Sequence, residues 1–124
     1  MDLSSKAKEF LVERPQRMRI NQDIKQMARE VSRASRGVDI NKIVVSFNAS
    51  TRIHGLSVNA AFAMLTGWSL RLQGVRVVNF VCKRGMPRCV LGTDQDDIYR
   101  LPPCQKCLTQ SSAIYHKSEV SWLD

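Results

Sequence analysis

The chain has 124 residues, 44% of them hydrophobic, with 19 Lys/Arg against 11 Asp/Glu and a formal net charge of +8. That length suits one small domain or a piece of a larger one and excludes a two-domain enzyme. With no apolar run of membrane-spanning length and no signal-peptide h-region, the expectation is a cytoplasmic protein.

The positive balance favours anionic partners: nucleic acid, phosphorylated ligands, or peripheral contact with an anionic membrane at its inner face. The charge is spread, however. Residues 1–42 carry ten Lys/Arg against six Asp/Glu, and residues 43–107 carry eight against three. Such a spread speaks against a dedicated nucleic-acid arm.

Residues 2–36 read as one broken helix or two consecutive ones. Ser4 or Ser5 is a candidate cap, and Pro15 ends or kinks the first helix. A second helix begins near Asn21, with Ile24, Met27, Ala28 and Val31 on one inward stripe and Gly37 just past its end. Arg29, Arg33 and Arg36 gather toward its C-terminus. They form either a basic arm for phosphate or lipid headgroups or a solvated helix face.

Asp39 to Lys42 reads as a short turn, and the β-branched run Ile43 to Phe47 as a strand buried on both faces of a parallel sheet. Asn48 to Leu56 is a polar loop, and Ser57 is a good N-cap. Ala60, Ala61, Met64, Leu65, Trp68 and Leu72 then follow at helical spacing, with Gly67 inside the helix and Gly74 ending it. Val75 to Val81 is a second apolar strand. Strand, helix and strand joined this closely predict an α/β fold, a Rossmann-like βαβ with parallel strands.

From Cys82 the pattern reads as a Cys-rich loop, weakly helical only from Ser111. A sheet of two strands is not independently stable in most settings, so the expectation is a chain that stops before the rest of its sheet. The organisation is then an N-terminal helical segment, residues 1–42, and a partial Rossmann-like domain, residues 43–124, with a Cys-rich insertion at 82–107.

Two places could carry chemistry. The thiols fall as Cys82-x6-Cys89 and Cys104-x2-Cys107, and the second pair has the spacing with which two thiolates grip one metal. Four sulfurs would suit a structural zinc, and the same ligands suit an iron–sulfur cluster. A disulfide, a redox-active Cys104/Cys107 pair, and unconnected cysteines are the competing readings, with Cys82 the member that fits a strand-end core position.

The second place is the loop from Asn48 to Ser57. A helix N-terminus there offers unpaired N–H groups to an anion. Arg52 adds a bidentate donor, His54 a titratable ring, and Gly55 close backbone approach. One glycine stands where dinucleotide sites use three, so no nicotinamide or flavin is expected. Asp94, Asp96 and Asp97 read as a solvated acidic turn, with a divalent-cation site as the alternative.

Ser46 through Val81 resembles the opening βαβ unit of glycosyltransferases built from two Rossmann-like domains, the GT-B architecture. The matching residues are Arg52-Ile53-His54-Gly55-Leu56-Ser57 and Gly74-Val75-Arg76-Val77. The Cys-rich segment looks like that of some bacterial surface-polysaccharide transferases. The resemblance implies the N-terminal, acceptor-side half of such an enzyme, with His54 as the catalytic residue near the acceptor hydroxyl. Ser50, Arg52, Gly55 and Ser57 would then line the substrate cleft. The family's sugar-nucleotide-binding domain is absent from these residues, so the chain alone is not expected to turn over substrate. The rival from another class is a basic zinc-binding module, held by Cys82, Cys89, Cys104 and Cys107, that docks nucleic acid or a protein partner.

Overall fold

The structure, a computed structural model, describes residues 7, 9–35, 37–48, 56–85, 89 and 96–124. A π-helical turn, Glu9–Glu13, runs without a break into α1, Arg14–Ala34. Then come β1 (Asp39–Asn48), α2 (Val58–Leu72), β2 (Val75–Cys82), α3 (Cys104–Ile114) and β3 (Glu119–Leu123). The three strands form one parallel sheet in the order β1-β2-β3. The α/β class and the parallel βαβ unit expected from the sequence are therefore present.

Helix α1 is longer than its sequence pattern suggests. Pro15 lies in its first turn, directly after the π-helical turn, so the proline accompanies a change of helix type within one run and not a gap between two helices. Ile24 and Ala28 are buried, but Met27 is 43% exposed and stands off the inward stripe. The helix stops at Ser35, before Gly37, and both the Ser35 N–H and its hydroxyl donate to the Val31 carbonyl.

Asp39 to Lys42 is assigned to β1, yet it behaves as the expected turn. Asp39 pairs with Val75 and Ile43 with Arg76, so three residues bulge between two consecutive partners. The Asn41 N–H donates to the Asp39 carboxylate at 2.9 Å, an Asx turn inside the bulge. From Ile43 onward the register with β2 is regular.

Ser57 caps α2 as its position suggests, accepting from the Ala60 N–H at 3.2 Å. Ala60, Met64 and Trp68 are buried, whereas Leu65 and Leu72 are exposed. Gly74 has φ +80° and closes the helix in the left-handed region, which glycine occupies without a Cβ clash. The core gathers Ile24 and Ala28 of α1, Ala60, Met64 and Trp68 of α2, Val81 of β2, and Ile114 and Tyr115 at the end of α3.

Two expectations are overturned. The segment after Cys82 is not loop up to Ser111, because α3 starts at Cys104. Nor does the sheet stop at two strands: β3 pairs with β2 from Val78↔Glu119 to Cys82↔Leu123. Arg76 donates to both carboxylate oxygens of Glu119 across this pair, and the buried Asn79 amide donates to the Glu119 carbonyl. The chain thus adds a second parallel crossover and a third strand that its apolar pattern does not announce.

β1 is also not buried on both faces. Val45 is 61% exposed and Phe47 is 71% exposed. The register puts Ile43, Val45 and Phe47 beside Arg76, Val78 and Phe80, opposite the face of Val77, Asn79 and Val81 that meets the core. The described helices meet the other face of β1 and leave this outer face open.

Candidate functional site at the carboxyl edge of the sheet

Parallel strands share a direction, so the ends of β1, β2 and β3 lie along one edge, and the helices that follow β1 and β2 begin there. In open α/β sheets this carboxyl edge is where ligands bind. Here it carries Asn48 at the end of β1, Cys82 at the end of β2 and Leu123 at the end of β3, together with the first turns of α2 and α3.

The loop that joins Asn48 to the α2 cap contains Ser50, Arg52, His54 and Gly55, and all four lie outside the described residues. Ser57 is described: its hydroxyl accepts from Ala60 and its carbonyl accepts from the Ala61 N–H at 2.8 Å. The amides of Val58 and Asn59, ahead of these bonds, have no intrahelical acceptor, as in the first turn of any helix. An anion in the loop would meet them with the positive end of the helix behind.

Asn48 is fixed from the other side. Its amide donates to the Tyr115 hydroxyl at 2.8 Å, so the end of β1 is tied to the residue that ends α3. Burial of Tyr115 pushes its phenol above its ordinary range, and the bond from Asn48 opposes that shift in part. This contact spans 67 positions and leaves no local trace in the sequence.

None of the four cysteines is in a disulfide, and all are partly buried. Cys104 and Cys107 stand in the first turn of α3, so the pair sits on a helix and not on the tight loop that its spacing suggests. Pro102 and Pro103 lead into that turn, and the Cys104 N–H donates to the Pro102 carbonyl at 2.7 Å. The Arg84 guanidinium, two residues past Cys82, donates to the Gln105 side chain at 2.8 Å and draws the two cysteine-bearing segments toward each other. Cys89 is described alone between undescribed neighbours. Among the described residues, no group of three or more His, Cys, Asp or Glu side chains is close enough to hold a metal ion. Asp94 lies outside the described residues, while Asp96 and Asp97 are exposed.

Two polar features fall outside the sequence reading. Arg71 of α2 clamps the turn before β3, donating to the Ser118 hydroxyl at 3.1 Å and to the Lys117 carbonyl at 2.9 Å. The water-sized recess beside it, between Trp68, Asn79 and Ser118, is too small for a ligand. His116, to which its isolated sequence position assigns nothing, has Nε2 buried without a hydrogen-bond partner. Desolvation holds its pKa below the usual imidazole range, and the nearby charges of Arg29, Lys117 and Lys25 lower it further.

None of the described helices is long and apolar enough to cross a membrane. Comparison with protein-family models, with curated proteins and with solved structures finds no match to this chain.

Proposed function

We propose that this chain is the N-terminal, acceptor-side Rossmann-like part of a sugar-nucleotide-dependent glycosyltransferase that builds polysaccharide or glycoconjugate. The observation that carries this reading is the parallel β1–α2–β2–α3–β3 run, with the polar residues 49–55 of the sequence falling between the end of β1 and the cap of α2. The resemblance in the Arg52–Ser57 and Gly74–Val77 segments adds the reaction class to that fold. In the proposed step an acceptor hydroxyl oxygen attacks the anomeric carbon of the donor sugar. The bond from that carbon to the diphosphate breaks, and the nucleoside diphosphate leaves with the electron pair. His54 takes the hydroxyl proton as general base, and Arg52 balances the charge that gathers on the leaving phosphate. Ser50, Gly55 and Ser57 would hold the acceptor by backbone and hydroxyl groups, with the sugar nucleotide held by a second domain outside these 124 residues.

The test is His54→Ala in a protein that carries both this chain and the donor-binding domain. General-base loss should lower kcat by about 100-fold or more with the donor KM unchanged. Unchanged turnover would remove His54 from the mechanism.

A second reading draws on the Arg84–Gln105 bond, which brings the turn after Cys82 toward the Cys104/Cys107 turn. In that reading Cys82, Cys89, Cys104 and Cys107 close around a structural zinc, and the chain is a basic zinc-binding module. Purified protein should then hold one equivalent of zinc, and chelation should unfold the segment from Cys82 to Cys107. Metal-free protein with an unchanged fold would sink it.

A further inference from the structure

The charges of α1 are sorted by face. With about 100° between successive residues, positions 17, 21, 24, 28, 31 and 35 form the stripe that turns toward the core. Ile24 and Ala28 are buried there, and Arg17, Asn21, Val31 and Ser35 are half-buried. A second stripe, about a quarter turn away, holds Arg14, Met18, Gln22, Lys25, Arg29 and Arg33. The helix carries two acids, Asp23 and Glu30, seven residues apart and away from this stripe. Lys25 is half-buried and the other five are exposed.

The end of α3 packs along the core stripe of α1, where the Gln110 amide donates to Asn21 at 3.0 Å. The turn that follows adds His116, whose surroundings include Lys117, Lys25 and Arg29. At the other end, α1 extends past the core: between Phe10 and Ile20 no side chain is buried. Phe10, Leu11, Val12 and Met18 are all more than half exposed, with the Arg14 guanidinium 5.3 Å from the centre of the Phe10 ring.

We propose that this face of α1 and of the π-helical turn before it lies on an anionic phospholipid surface, with Arg14, Lys25, Arg29, Arg33 and Lys117 at the headgroup phosphates and Phe10, Leu11 and Met18 at the acyl boundary. Both halves of the surface are needed for that choice. A nucleic acid would neutralise the cations and leave the three apolar side chains in water, whereas a bilayer interface takes both. The projecting first half of the helix gives a flat surface room to approach. The inference uses none of the residues of the proposed reaction and stands or falls without it.

The test is co-sedimentation of the full chain with vesicles of phosphatidylcholine alone and of phosphatidylcholine mixed with phosphatidylglycerol. Binding is expected only to the mixed vesicles, weakening as salt rises. Arg29→Glu with Arg33→Glu should weaken it by about tenfold or more, since each basic group near such a surface contributes appreciably. Leu11→Ser with Met18→Ser should weaken it severalfold, and the exposure of both positions keeps the fold intact, checked by circular dichroism. Absence of binding to the mixed vesicles at low salt overturns the proposal. So does binding that either double variant leaves unchanged, or tighter binding to a single-stranded RNA oligomer or to polyglutamate than to the mixed vesicles.

Discussion

Asn48 and Tyr115 stand 67 positions apart, yet the amide of one donates to the hydroxyl of the other at 2.8 Å. The bond joins the last residue of β1, where the candidate loop departs, to the end of α3, whose ring is part of the core. Tyr115→Phe keeps the ring and removes the acceptor, so it should cost about 1 kcal/mol in urea unfolding near neutral pH. The same variant has a signature in alkali. Because burial raises the native phenol above its ordinary value of 10.0, the unfolded state ionises first. Stability that is fully present below that ordinary value is therefore lost as pH climbs through the native one, and Tyr115→Phe should lack this component. Equal alkaline losses in both proteins would place Tyr115 in water.

His116 gives the opposite slope. Burial first, then Arg29, Lys117 and Lys25, disfavour its charged form in the native state. Unfolding releases the ring to its ordinary pKa of 6.5, so the unfolded state binds more protons below that pH. The stability is fully present above that value and falls as the pH drops beneath it. Urea denaturation at about pH 7.5 and about pH 5 should show a smaller difference for His116→Gln than for the parent chain. A difference of the same size in both would mean that His116 titrates freely.

Legibility in the sequence depended on whether packing left a periodic mark. Ser57, Gly74 and the run from Val75 were legible because a cap, a left-handed turn and a two-faced strand each restrict residue type locally. Helix α3 was not. Its inward positions include Gln110 and Ser111, both buried, so no apolar stripe marks it. Pro102, Pro103 and the cysteines give its start the look of a loop, and its Pro103 cap makes no side-chain bond. Strand β3 is five residues long and mixes Glu119 and Ser121 with Val120, Trp122 and Leu123, too short to announce itself. The candidate site divides in the same way. Loop 49–55 stands out by its polar residues, but the Asn48–Tyr115 tie and the cationic surroundings of His116 depend on chain segments that only the fold brings together.

Gly67 inside α2 and Gly74 after its end make opposite predictions. A Cβ on Gly67 would meet only Val77 Cγ1, at 3.9 Å, an ordinary contact, so no close approach to the sheet requires glycine there. Gly67→Ala should stabilise the protein by about 0.5–1 kcal/mol, because it removes the entropic cost of glycine inside a helix. Gly74 has φ +80°, and a Cβ there would stand 3.4 Å from the Gly37 carbonyl oxygen. Gly74→Ala should cost on the order of 1–2 kcal/mol through the strained left-handed backbone. Thermal denaturation of both variants checks the pair, and destabilisation by Gly67→Ala would show that the helix packs closely on the sheet at that glycine.

The outer face of β1 gives the sharpest contrast between pattern and packing. Ile43 to Phe47 has the composition of a strand buried on both sides, yet Phe47 is 71% exposed while Val81, which pairs with the next residue, Asn48, is 1% exposed. Phe47→Ser should then change unfolding free energy by no more than about 0.5 kcal/mol, as exposed substitutions do. Val81→Ala removes two buried methyl groups and leaves a cavity in the core cluster, so it should cost on the order of 2 kcal/mol. Both are read from the midpoint of urea unfolding at constant m. If Phe47→Ser proves as damaging as Val81→Ala, β1 is covered in solution on the face that the described helices leave open, and its apolar composition reflects burial after all.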